Sequence, residues 1–167
     1  MNTWDAITSR RNVRQYSDKP VTRQDLEKIL EAGRRAPSAS NWQPWNFIVV
    51  TDRATLQELA TATSQFIASA PAAIVFVAKD DAERQEWIQY DFGQATMAMM
   101  LAATDLALGT GHASVKNEPV TKQLLGYPDG YSARYSIGVG YPADRELKPI
   151  KNPDRRPLDE IVHWNKW

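Results

Sequence analysis

Apolar positions in this chain recur first at helical spacing. Asn2 or Thr3 can cap a helix, and Trp4, Ala6 and Ile7 follow as its inner face, up to a basic run at Arg10-Arg11-Asn12-Val13-Arg14. Thr22-Arg23-Gln24-Asp25 resembles a capping box, and Leu26, Ile29, Leu30 and Gly33 then mark a second helix that Pro37 stops. Leu56, Leu59 and Ala60 predict a third, from about Arg53 and ended by Pro71. A long fourth covers roughly Glu83 to Leu108. Its stretch Ala95 to Ala103 is apolar on nearly every side, so protein must enclose it, as a core helix or at a dimer interface. Pro119 to Leu125 forms a short helix capped near Glu118.

Three short apolar runs read instead as buried strands: Phe47 to Val50, Ala72 to Val77 and Tyr135 to Val139. Gly109-Thr110-Gly111 breaks the long helix. From Tyr141 the tail carries Pro142, Pro149, Pro153 and Pro157 and is expected to be extended. It still ends in Trp164 and Trp167, which need a surface to pack on, and a second copy of the chain would supply one. Helices and strands mix without regular β-α alternation, so the expected fold is a single α+β domain over residues 1–167, with a mixed central sheet flanked by helices.

Charge and composition narrow the function. Lys plus Arg and Asp plus Glu both number 20, so no broad field attracts nucleic acid or an anionic membrane, and neither is expected as a partner. With no cysteine there is no disulfide or thiolate chemistry, which fits a reducing, cytoplasmic setting. His112 and His163 are the only histidines and lie far apart, so a histidine metal site or triad is not expected. The N-terminus lacks the apolar core of a signal peptide, and the apolar stretch Ala95 to Leu108 is shorter than the roughly 20 residues a bilayer requires.

Four segments carry candidate chemistry. Arg10, Arg11 and Arg14 offer forked, permanently charged donors that match a phosphate, or a solvated basic patch. Ala36-Pro37-Ser38-Ala39-Ser40-Asn41-Trp42-Gln43-Pro44-Trp45 is either a rigid loop able to read the polar edge of a flat heterocycle or a turn packed around two tryptophans. The glycines of Leu108-Gly109-Thr110-Gly111-His112 either let backbone amides approach a ligand or cap the preceding helix. Asp154-Arg155-Arg156 is a second basic cluster or further surface charge.

In order along the chain these segments resemble the FMN-dependent nitroreductases. That family has R-R-S-x-R after a first helix (Arg10-Arg11-Asn12-Val13-Arg14), P-V at the entry to the second (Pro20-Val21), and A-P-S-x-x-N-x-Q-P-W, matched at every specified position from Ala36 to Trp45. It continues with L-G-x-G after the long helix (Leu108 to Gly111), G-Y-P after a strand (Gly140-Tyr141-Pro142) and P-L-x-E-x-V-H near the end (Pro157 to His163). The resemblance implies a homodimer with two FMN molecules at its interface and a C-terminal extension reaching onto the partner. Arg10, Arg11, Asn12, Arg14, Arg155 and Arg156 would hold the phosphate. Pro37, Ser38, Ala39 and Asn41 would come from the other subunit, with Arg35 as a further contact. Backbone at Thr110, Gly111 and His112 would face the ring.

The implied activity is NAD(P)H-dependent reduction of a nitroaromatic, quinone or similar flat acceptor by a ping-pong route. The flavin N5 carries the chemistry, and no side chain is required as a catalytic acid or base. Two departures stand out: Asn12 replaces the usual Ser, and Thr63 to Pro71 lacks an N-x-x-K pair that contacts flavin in some members. The chain is also short for the family, implying that the insertion covering the site in larger members is absent. Flavin fragmentation or dehalogenation on the same scaffold, and non-catalytic FMN binding, are the competing readings.

Overall fold

A computed structural model describes residues 1–167. Nine regular elements follow in order: α1 (Thr3–Ser9), α2 (Arg23–Arg34), β1 (Asn46–Val50), α3 (Arg53–Ala62), β2 (Ala72–Lys79), α4 (Gln85–Asp105), β3 (Gly109–Ser114), α5 (Glu118–Leu125) and β4 (Tyr131–Gly140). The first three helix starts are built by local chemistry. The side chains of Asn2, Thr22 and Asp52 cap α1, α2 and α3 by accepting from the N–H groups of Asp5, Asp25 and Thr55 respectively.

The strands form one sheet in the order β1-β2-β4-β3, antiparallel at every pairing. The only parallel link is an isolated bridge between Asn12 and Thr110. The fold class is the expected α+β, with an antiparallel sheet in place of the mixed one expected. β2 is apolar along almost its whole length because helices cover both its faces. Ala72, Ile74 and Phe76 pack with Ile137, Val139 and the inner sides of α2 and α4. Ala73, Val75 and Val77 pack with Leu56, Leu59 and Ile67 on the α3 side. No helix is long and apolar enough to cross a membrane.

Several local expectations change. Gly109-Thr110-Gly111 is the start of edge strand β3. Helix α4 instead stops by putting Ala107 at φ 58°, with the Leu108 N–H reaching back to the Ala103 carbonyl at 2.8 Å. β1 is an edge strand with Val49 exposed, so it is only partly buried. Helix α3 ends at Ala62, and a 3-10 turn at Gln65–Ser69 fills the gap before Pro71. Asn117 caps α5, at the expected place near Glu118. On α1, Trp4 and Ile7 face outward while Ala6 and Ser9 face in, because Ser9 rather than a larger residue fills the slot against the fold. The tail after Tyr141 has one 3-10 turn, Leu158–Glu160, and leaves Trp164 and Trp167 85% and 102% exposed.

Candidate functional site

The basic run leaves α1 as an extended segment and lies along the free edge of β3. The Val13 N–H donates to the Thr110 carbonyl at 2.8 Å, and the Tyr16 hydroxyl sits 2.8 Å from the Val13 carbonyl and 3.1 Å from that of Gly138. Burial raises the Tyr16 pKa well above its ordinary value, so the phenol stays protonated as a structural donor. The glycines of β3 permit this approach. A Cβ on Gly109 would lie 2.4 Å from the Val13 side chain, and one on Gly111 would lie 2.2 Å from the Val13 carbonyl oxygen. Within the chain the glycines therefore admit residues 12–14, bringing two of the four candidate segments together.

Arg11 turns back to close α1. Its Nη1 donates to the carbonyls of Thr8, Ser9 and Arg10, and its Nη2 reaches the Lys148 carbonyl at 2.6 Å, tying the tail to the cluster. Arg10 is half-buried, and the one hydrogen bond of its side chain is to Asn12 Oδ1 at 3.3 Å. Burial, then the charge of Arg155, lowers the Arg10 pKa. Burial, then Arg10 and Arg145, lowers that of Arg11. The Arg14 guanidinium lies 5.9 Å from the centroid of the Phe66 ring. Arg10, Arg11, Arg14 and Arg155 form no ion pair, whereas Arg156 pairs with Glu160 and Arg35 with Glu31. Arg34 and Arg35 together draw the Glu31 pKa down to about 2.

Thr110 and His112 project from β3 toward α4. The Thr110 hydroxyl is buried with no hydrogen-bond partner. His112 tilts against Tyr135, ring centroids 5.4 Å apart, in a cavity of about 290 Å³ that Phe92, Thr96, Met97 and Met100 also line. Burial lowers the His112 pKa, favouring the neutral ring.

The Pro37–Asn41 loop lies apart from this cluster, against the N-terminal half of α4. Ser40, Asn41 and Gln43 all take left-handed backbone, at φ 50°, 56° and 53°. Ser38 Oγ accepts from the Gln43 N–H at 2.9 Å, and the Ala39 N–H points at the Asp91 carboxylate. Ala39, Ser40, Asn41 and Trp42 form one wall of a cavity of about 670 Å³, with Arg84 and Trp87 opposite. The Arg84 guanidinium stacks over the Trp42 ring at 4.6 Å. No hydrogen bond or ion pair joins this loop to Arg10, Arg11 or Thr110 within the chain.

Sequence reasoning passed over Asp91, Tyr16 and the Trp42–Arg84–Trp87 cavity. Asp91 carried a signal: it is a carboxylate one turn from Ile88 and beside Phe92 on the inward face of α4.

A sequence model of the Nitroreductase family matches residues 7–78 and 55–141. A protein of Archaeoglobus fulgidus with the provisional name NADH dehydrogenase/NAD(P)H nitroreductase is 36% identical over 170 residues, covering 96% of each chain. The oxygen-insensitive NADPH nitroreductase of Salmonella typhimurium is 31% identical over 184 residues, covering 99% of this chain and 74% of the relative. Among solved structures, an FMN-dependent nitroreductase from Clostridium difficile superposes with a TM-score of 0.84 at 28% identity, covering 97% of this chain and 98% of that one.

Proposed function

This chain belongs to the nitroreductase family, and from that premise we propose that it is an FMN-dependent oxidoreductase that passes electrons from NADH or NADPH to flat acceptors, working as a homodimer. The observation that carries the cofactor is the set of arginines without carboxylates. Arg155 stands close enough to Arg10 to disfavour its charge, and Arg11 adds a third cation. Holding like charges together is unfavourable unless an anion joins them, and a phosphomonoester carries nearly two negative charges. Arg10, Arg11, Asn12, Arg14 and Arg155 would hold it, and the backbone of Thr110 to His112 would face the ring. Arg35 and Arg156 are already engaged by Glu31 and Glu160, and the Arg11 guanidinium by four backbone carbonyls, which makes these three weaker candidates than Arg10 and Arg155.

The bound flavin would supply two-electron transfer from the nicotinamide to the acceptor. The chain's own part is to bind and orient. The arginines fix one end, and the Pro37–Asn41 loop of a second copy would close the other. His112, favoured in its neutral form, adds no cation beside the ring. The second copy is supported by what α1 and α4 leave uncovered. Trp4, Ile7, Tyr90 and Met97 are exposed, and Tyr90, Gln94, Met97 and Leu101 repeat at the spacing of a helix-packing seam. The Trp42–Arg84–Trp87 cavity suits a flat acceptor, with two indoles for stacking and a guanidinium for an electron-rich substituent.

Steady-state rates measured while varying NAD(P)H and menadione together test the reading. One site used twice predicts parallel double-reciprocal lines. Intersecting lines would reject the ping-pong order, and absence of turnover with any quinone or nitroaromatic would reject the enzyme assignment.

A further inference from the structure

Asp91 is the only Asp, Glu, Lys or Arg side chain buried in the protein, at 1% exposure, and no cation pairs with it. Its inward neighbours on α4, Ile88, Phe92 and Ala95, are apolar, so a leucine would complete that face. A buried carboxylate without a cation is costly and persists only where its hydrogen bonds matter. Those bonds are few and directed. Oδ2 and Oδ1 lie 3.2 and 3.3 Å from the Ala39 N–H, and Gln94 Nε2 donates to Oδ1 at 3.3 Å.

The Ala39 contact is the only hydrogen bond linking residues 38–43 to the rest of the protein. The others close the loop on itself: Asn41 N–H to the Ser38 carbonyl, Trp42 N–H to the Ala39 carbonyl, Gln43 N–H to Ser38 Oγ, and the Gln43 amide to the Asn41 carbonyl. The loop also holds three non-glycine residues in left-handed backbone, a conformation that relaxes unless its surroundings fix it. We propose that Asp91 is a positioning residue for the flavin: its carboxylate anchors the Ser38–Gln43 loop to α4 in the strained form that meets the ring end of the cofactor. This rests on the flavin reading above, and it assigns Asp91 to the end of the ligand remote from the arginines.

The test titrates flavin-free protein with FMN and, separately, with riboflavin, which has no phosphate. Asp91→Ala weakens both ligands by the same factor, about ten- to a hundredfold for loss of one charge-assisted hydrogen bond. Asp91→Asn, which keeps one acceptor oxygen, weakens both only a few-fold. Chymotryptic cleavage after Trp42 accelerates in Asp91→Ala and less in Asp91→Asn, relative to cleavage elsewhere. Arg10→Ala, by contrast, weakens FMN and leaves riboflavin unchanged. If Asp91→Ala does not fold, the Asn variant carries the test through the same two readouts. Wild-type flavin affinity and Trp42 cleavage in the variant that folds would overturn the assignment of Asp91 alone. A wild-type protein that binds neither flavin overturns the flavin reading and this assignment with it.

Discussion

Arg10→Ala separates a binding arginine from a structural one, because the two roles predict opposite signs. In the protein alone Arg10 does little for the fold. The single hydrogen bond of its side chain, to Asn12 Oδ1, is 3.3 Å long, it has no carboxylate partner, and both burial and Arg155 disfavour its charge. Removing it should leave the thermal stability of flavin-free protein unchanged or slightly higher, since a like-charge contact is relieved. With a phosphate present it would supply a charge-assisted hydrogen bond worth about 1.5–3 kcal/mol, so the variant should lose about ten- to a hundredfold in FMN affinity. Wild-type affinity should also fall as salt rises, and less steeply in the variant. Quenching of FMN fluorescence on titration gives the affinity, and a melt of the flavin-free protein gives the stability. Unchanged affinity would return Arg10 to the surface-charge reading. A melt lowered in proportion to the lost affinity would show that Arg10 supports the fold.

Three further outcomes follow from the same geometry. Gly111→Ala places a Cβ 2.2 Å from the Val13 carbonyl and 2.7 Å from the Phe66 ring. A backbone shift of residues 12–14 should cost about 1–3 kcal/mol and weaken FMN as well, read from a melt and a titration; an unaffected melt would contradict the packing described. Burial lowers the His112 pKa, so the unfolded chain binds the extra proton first as pH falls. The contribution of neutral His112 is therefore complete above the ordinary value near 6.5 and is lost as pH drops toward the folded value. His112→Gln should flatten that part of a stability–pH curve, and an unchanged slope would assign it elsewhere. Deleting Pro157 to Trp167 removes Leu158, Ile161, Trp164 and Trp167, all exposed on a single chain. It should lower dimer stability and flavin content together, and a truncated protein that stays dimeric and fully yellow would show that the tail has no part in either.

The long elements were legible because their apolar period is unambiguous. α2 declares itself through Thr22, Leu26 and Ile29, and β2 through an unbroken apolar run that only a strand covered on both faces tolerates. β3 was not legible. Gly109 and Gly111 look like a helix cap because their purpose, admitting Val13, depends on a segment almost a hundred residues earlier in the chain. Trp4 and Ile7 misled for a related reason. Apolarity marks a face that will be covered, but not by what, and within one chain nothing covers them. Of the candidate site, Arg10 to Arg14 and Thr110 to His112 do come together, through a bridge no local pattern encodes. The Pro37–Asn41 loop stays separate, and Asp91, which tethers it, is a single residue whose partner is a backbone N–H and so leaves no second letter in the sequence.

The shared flavin site is tested most directly by size-exclusion chromatography with light scattering, reading flavin absorbance across the same peak and identifying the flavin released on denaturation. The account predicts a species of two chains carrying one FMN per chain. A colourless protein that takes up no FMN, or a single chain that holds it, would contradict a site built by two copies around the arginines of one and the Pro37–Asn41 loop of the other.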